Sequence, residues 1–182
     1  MSYPSRGLRY PALLLALVLA LPVPAREVGS DPGDAITAIY RRAAAGKGDG
    51  GGQFVWLTSR DRRAHFTRDL AELWDRAEKA TPKGEQMPPG FDPVTASQDP
   101  NLKSFAVRVE ERMAARAVVR VELRHGQAPE GAQAAIRYTL RHQQGRWLID
   151  EIASTEQKGP EAWSLRALLG EQLASHGKPV QR

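Results

Sequence analysis

The chain contains no cysteine, which excludes a disulfide framework and a thiol for lipid attachment, so its stability must come from an apolar core. Histidine is scarce as well: His65, His125, His142 and His176 are the only four, and their spacing matches no zinc motif. There is no nucleophile elbow, phosphate-binding loop or dinucleotide fingerprint, so no cofactor is expected. Internal repeats are absent. Long apolar runs are absent too, except for Ala12 to Leu21, which is shorter than the roughly 20 residues needed to span a bilayer. The formal net charge of +5 is a small basic excess, and no stacking or groove-reading module accompanies it, which argues against nucleic acid as a partner.

What is present begins with an address. Arg6 and Arg9 precede the apolar run, and the following "PVPA" places Val23 and Ala25 where a signal peptidase accepts small residues. Residues 1–25 are therefore expected to be a cleaved signal peptide and the protein to be periplasmic. Cleavage would remove two arginines and no acid, lowering the net charge from +5 to +3. Residues 26–176 suit a single domain, with 177–182 as a flexible tail. Two internal stretches break the pattern: the Gly-rich "GKGDGGG" at 46–52 and a Pro-rich segment near 81–101.

Between these breaks the apolar periodicity is clear. In "DPGDAITAIYRRAAAG", Asp31 is a candidate N-cap, Pro32 suits the first helical position, and Asp34 lies in the first turn, where the helix dipole favours negative charge. Ile36, Ile39, Tyr40 and Ala43 recur at helical spacing and Gly46 ends the run. A second helix is expected from about Ser59 to Ala80, with Phe66, Leu70, Leu73, Trp74 and Ala77 on one face. Strand alternation then takes over in "SFAVRVEERM", "RAVVRVELR", "AAIRYTLRH" and Arg146 to Ile152, and Leu165, Leu168, Leu169 and Leu173 mark a closing helix.

Connections of about 2 to 10 residues between the strands suit antiparallel hairpins, since a parallel crossover needs about a dozen or more. The expected fold class is α+β, with the N-terminal helices packed on a curved four-stranded antiparallel sheet. In "GRWLIDEI" strict alternation sends Trp147 and Ile149 toward the helices. Leu148 and Ile152 would take the opposite face, under the final helix or at a subunit contact.

The combination of the "ITAIYRR" helix, the central "FDPVTASQDPN" segment and the closing "GRWLIDEI" strand resembles a family of small exported bacterial domains of unknown function. These are similar to the cystatin-like, nuclear-transport-factor-2-like superfamily, a cone of bent sheet wrapped around a long helix. The resemblance covers roughly residues 31–170. It implies the cone but selects no activity, since the superfamily includes enzymes, ligand-binding modules and dimerising scaffolds. In the family resembled, "QD" recurs as a pair, which points to Gln98 and Asp99 for a structural or binding role.

The central segment is also unusual in itself. From Thr81 to Asn101 it has four prolines before Pro100 and no periodicity, and Asp92, Thr95, Ser97, Asp99 and Asn101 crowd oxygen side chains together. One reading is a ligand-holding loop at the rim of a pocket. The other is a chain of Asx and Ser/Thr turns, because the glycine and terminal glutamate of a calcium loop are missing. The expected ligand-binding residues are Tyr40, Asp92, Gln98, Asp99 and Tyr138, around an opening in the cone; no metal site and no catalytic residue are assigned.

Other polar groups have structural readings beside functional ones. On a continuous second helix His65, Asp69, Glu72 and Arg76 would form one stripe, either a proton-transfer set or a salt-bridged border. Arg108, Arg120, Arg137 and Arg141 would share a basic sheet face, with Glu110 and Glu122 available as cross-strand partners. Trp56 and Trp163 read as packing anchors rather than ligand platforms. The expected function is an exported, non-catalytic binding or interaction domain whose partner is a small ligand or an envelope protein, with a homodimer left open. The alternatives are an immunity or inhibitor protein against a periplasmic toxin, and a small acid–base enzyme using His65 or Asp99.

Overall fold

A computed structural model describes residues 31–44, 58–98, 102–126, 134–156 and 162–176. The expected signal peptide, the Gly-rich stretch, Trp56, Asp99 and the tail lie outside them. The elements run α1 (Pro32–Ala44), α2 (Ser59–His65), α3 (Arg68–Ala80), β1 (Leu102–Arg112), β2 (Arg116–His125), β3 (Ala134–Gln143), β4 (Arg146–Ser154) and α4 (Leu165–His176). The four strands form one antiparallel sheet in the order β1-β2-β3-β4. The class is α+β.

Local chemistry accounts for the elements. Asp31 accepts a 2.8 Å hydrogen bond from the Gly33 backbone N–H, the expected cap of α1. The β3–β4 hairpin turns through Gln144 and Gly145, both at positive φ (51° and 75°), the geometry of a two-residue turn that matches sheet twist. One face of the sheet presents Val119, Val121, Ile136, Tyr138, Leu140, Ile149 and Ile152 to a single buried cluster. Ile36, Ile39 and Tyr40 of α1, Leu70 and Trp74 of α3, and Leu165 and Leu169 of α4 join it. Each such aliphatic or aromatic side chain removed from water contributes about 1.5 to 3 kcal/mol.

Two expectations from periodicity are corrected. The helix expected over Ser59–Ala80 is two helices, because the backbone at Phe66 and Thr67 leaves the helix to pair with β4: Phe66 bridges Ile149, and the Thr67 N–H donates to the Ile149 carbonyl at 2.8 Å. His65 thus lies on a different helix from Asp69, Glu72 and Arg76, and the four do not form one stripe. The second correction concerns β4. The register passes from Thr139↔Glu151 to Leu140↔Ile149, so Asp150 is an extra residue. This bulge shifts the alternation by one position. Ile152 therefore enters the same core as Ile149, and only Leu148 stays on the other face, half-buried.

On that other face the arginines meet acids, as the pairing reading anticipated. Arg108, Arg120 and Arg137 are neighbours in the cross-strand register. Arg137 Nε donates to Glu110 at 2.9 Å, Arg120 lies 3.4 Å from Glu122, and Arg141 Nε donates to Asp150 at 2.9 Å.

Candidate functional groove

The Pro-rich segment between α3 and β1 is a built structure. Asp92 Oδ1 accepts from the Val94 N–H at 3.0 Å and Oδ2 from the Thr95 hydroxyl at 2.8 Å. The Asp92 N–H donates to the Ser97 carbonyl at 2.9 Å, closing a short loop in which Ala96 sits at φ 52°. This is the Asx- and Thr-turn reading of the segment. The loop is pinned to the core from beneath: the Tyr40 hydroxyl donates to the Val94 carbonyl at 2.7 Å and lies 2.8 Å from the Tyr138 hydroxyl. Since the single Tyr40 proton is committed to Val94, Tyr138 is the donor in that pair.

Tyr40, Asp92 and Tyr138 are therefore brought together, but in a closed cluster. Both tyrosines are 0% exposed and Asp92 is 2% exposed, and the space between α1 and the sheet is filled by side chains. Burial pushes the Tyr40 phenol well above its ordinary value, with the neighbouring Tyr138 and Asp92 adding to the effect. Burial likewise raises Tyr138, against the hydrogen bond to Tyr40. Both remain neutral at any physiological pH. The Asp92 carboxyl is raised by burial, partly offset by its bonds from Val94 and Thr95. Gln98 is exposed at the loop rim, 3.5 Å from the Gly90 carbonyl.

Above this cluster the loop and α3 enclose a groove of about 680 Å³. Its apolar walls are Trp74 of α3 and Met87, Pro88, Pro89, Phe91 and Pro93 of the loop; Glu78, Gln86, Asp92 and Gln98 supply polar edges. Met87 is 48% exposed, one of two large apolar side chains left open to solvent among the described residues. Trp74 is held firmly: Phe66 stacks on it with ring centroids 5.7 Å apart, and the Arg62 guanidinium lies 5.4 Å from its ring centre. Arg62 is itself buried and donates to Asp75 and Glu78, tying α2 to α3. The Trp74 indole N–H is buried with no hydrogen-bond partner. On its other flank, residues 85–90 border a second depression of about 540 Å³ against α4.

Sequence reasoning placed Asp92 and Gln98 at this site and missed Trp74, Met87 and Phe91. The helical spacing of Trp74 reads as core, which it also is. The density of prolines beside an aromatic and a methionine was the available signal. His65 does not line the groove; burial and the nearby Arg42 lower its pKa, favouring the neutral ring.

A second polar centre surrounds the bulged Asp150. Its carboxylate accepts from Thr67 Oγ1 at 3.0 Å, Arg141 Nε at 2.9 Å and Arg166 Nη2 at 2.7 Å, while Arg166 Nε donates to its backbone carbonyl at 2.7 Å. Burial works to raise this carboxyl, but the bonds from Arg141 and Thr67 and the charge of Arg166 outweigh it and hold the pKa below its ordinary value. Among the described residues no cluster of acids and histidines could hold a metal ion, and no helix is long and apolar enough to cross a membrane. Comparison with protein-family models, curated proteins and solved structures finds no match.

Proposed function

We propose that the protein is an exported, non-catalytic binding domain of the bacterial envelope, and that the groove between α3 and the Pro-rich loop takes an apolar group of a small ligand or partner protein. The observation that carries this reading is the groove itself. Trp74, Phe91, Met87 and three prolines face a common space, and Met87 is left open to water. Concave, mostly apolar sites with a few polar edges are the usual form of ligand pockets. The leader with Arg6, Arg9, Ala12–Leu21 and Ala25 supports export. The order of helices, antiparallel meander and closing helix agrees with the cystatin-like, nuclear-transport-factor-2-like cone, which we include in the proposal.

The test uses a neutral apolar fluorophore, N-phenyl-1-naphthylamine, titrated against the protein. Saturable fluorescence enhancement is expected, weakened at least about tenfold by Met87→Glu, a change worth about 1.4 kcal/mol of binding free energy. No enhancement, or enhancement indifferent to Met87→Glu and Phe91→Ala in folded variants, would reject the groove as the binding site. Export is checked separately: protein recovered from the periplasm should begin at Arg26.

A further inference from the structure

Every sulfur in the chain is a thioether: Met1, Met87 and Met113 carry them, and there is no cysteine. Met1 lies outside the described residues. Met87 and Met113 are 48% and 62% exposed, and among the described residues no other large apolar side chain is so open to solvent. Their surroundings differ. Met113 stands in the β1–β2 turn and borders neither depression beside the Pro-rich loop. Met87 is part of the wall of both, the groove against Trp74 and the depression against α4. Its backbone is fixed, because its carbonyl accepts from the Gly90 N–H at 3.0 Å and proline follows it at 88 and 89. Its unbranched side chain keeps its freedom above that fixed root.

We propose that Met87 is an oxidation site that switches the groove: a peroxide converts its thioether to the sulfoxide, and the groove then rejects apolar guests. The switch rests on the reading of the groove as a binding site. In the step itself a sulfur lone pair attacks one oxygen of hydrogen peroxide, so that the S–O bond forms as the O–O bond breaks. The departing hydroxide takes the proton of the transferred oxygen and leaves as water; sulfur has lost an electron pair and the peroxide has gained it. Access to the sulfur is open, and no thiol of the same chain competes for the oxidant. The product is opposite in character to the wall that holds it. Trp74, Phe91, Pro88, Pro89 and Pro93 are apolar, and a sulfoxide oxygen among them must shed its water whenever an apolar guest covers it. Because the backbone of Met87 is held, the oxidised side chain stays at the rim of the groove. Met113 undergoes the same chemistry on a turn remote from the groove wall, where it has no guest to exclude.

The test treats the folded protein with hydrogen peroxide until peptide mass spectrometry shows Met87 and Met113 as sulfoxides, removes the peroxide, and compares N-phenyl-1-naphthylamine titrations before and after. The dissociation constant is expected to rise about tenfold on oxidation, and to return once methionine sulfoxide reductases have converted Met87 back. Met113→Leu should respond to peroxide as the wild type does. Met87→Leu should show the same affinity after peroxide as before it, whatever that affinity is, with circular dichroism confirming that each treated sample is folded. Four results overturn the switch: Met87 left intact while Met113 is converted, an affinity unchanged by complete oxidation of Met87, a loss that persists after Met87 is reduced, or a Met87→Leu protein that weakens as much as the wild type. Reduced wild type that binds no fluorophore rejects the groove reading and the switch with it; binding that survives oxidation of Met87 rejects the switch alone.

Discussion

At the β4 edge, the chain brings Phe66–Thr67 and Trp163–Ser164 to the strand and binds the bulged Asp150 with two arginines and a threonine. At the β1 edge, the charges on the solvent side are exposed and the ion pairs are those of surface side chains, such as Arg116 with Glu111 at 2.8 Å. The same sheet thus has one rim integrated into the tertiary structure and one that, among the described residues, rests mainly on β2 and α1. Stability should be sensitive to changes at the first and tolerant of them at the second, because exposed pairs contribute about 0 to 1 kcal/mol and partly buried networks more.

The largest effect is expected at Phe66. Phe66→Ala removes a fully buried ring that stacks on Trp74 and sits where the chain joins β4, and should lower unfolding free energy in urea by about 3 to 5 kcal/mol. Asp150→Asn, which keeps the shape and loses the charge facing Arg141 and Arg166, should cost about 2 kcal/mol at neutral pH. Because the folded pKa of Asp150 lies below its unfolded value, the carboxylate's contribution is complete above about pH 4 to 5 and is lost as the pH falls through the folded pKa. Wild type and Asp150→Asn should therefore converge in stability on acidification; parallel curves would mean that the charge contributes nothing.

Thr67→Val, which deletes a single hydroxyl from that network, should cost about 1 kcal/mol by the same assay. At the opposite rim Arg108→Ala should change stability by no more than about 0.5 kcal/mol. A loss at Arg108 equal to that at Thr67 would erase the distinction between the edges.

The sequence made the four strands and α1 readable because their patterns are simple: Val119, Val121 and Leu123 alternate strictly, and Ile36, Ile39, Tyr40 and Ala43 hold helical spacing. The bulge was hidden because apolar residues stand at 147, 148, 149 and 152, so a skipped position looks like a strand with two apolar faces. The helix break was hidden for a related reason. No glycine or proline marks it; Phe66 keeps the helical period while its backbone satisfies β4, and Thr67 stands at the N-cap of α3 without its hydroxyl accepting a hydrogen bond from that helix, donating to Asp150 instead. Of the site, Asp92 was legible as an oxygen-bearing turn residue. The groove was not, since it depends on Trp74 and Phe91 meeting across a stretch without periodicity.

The Pro-rich loop is fastened at several separate points. Tyr40 holds Val94 from below, while from the side Gln172 of α4 donates to the Thr81 hydroxyl at 3.1 Å and His176 lies 3.3 Å from Glu85. Such a wall is already in place before anything arrives, so a guest need not freeze a mobile chain in order to be gripped. Selectivity among guests would then come from how well each one's contours suit fixed surfaces, with the first and last helices acting together as the clamp.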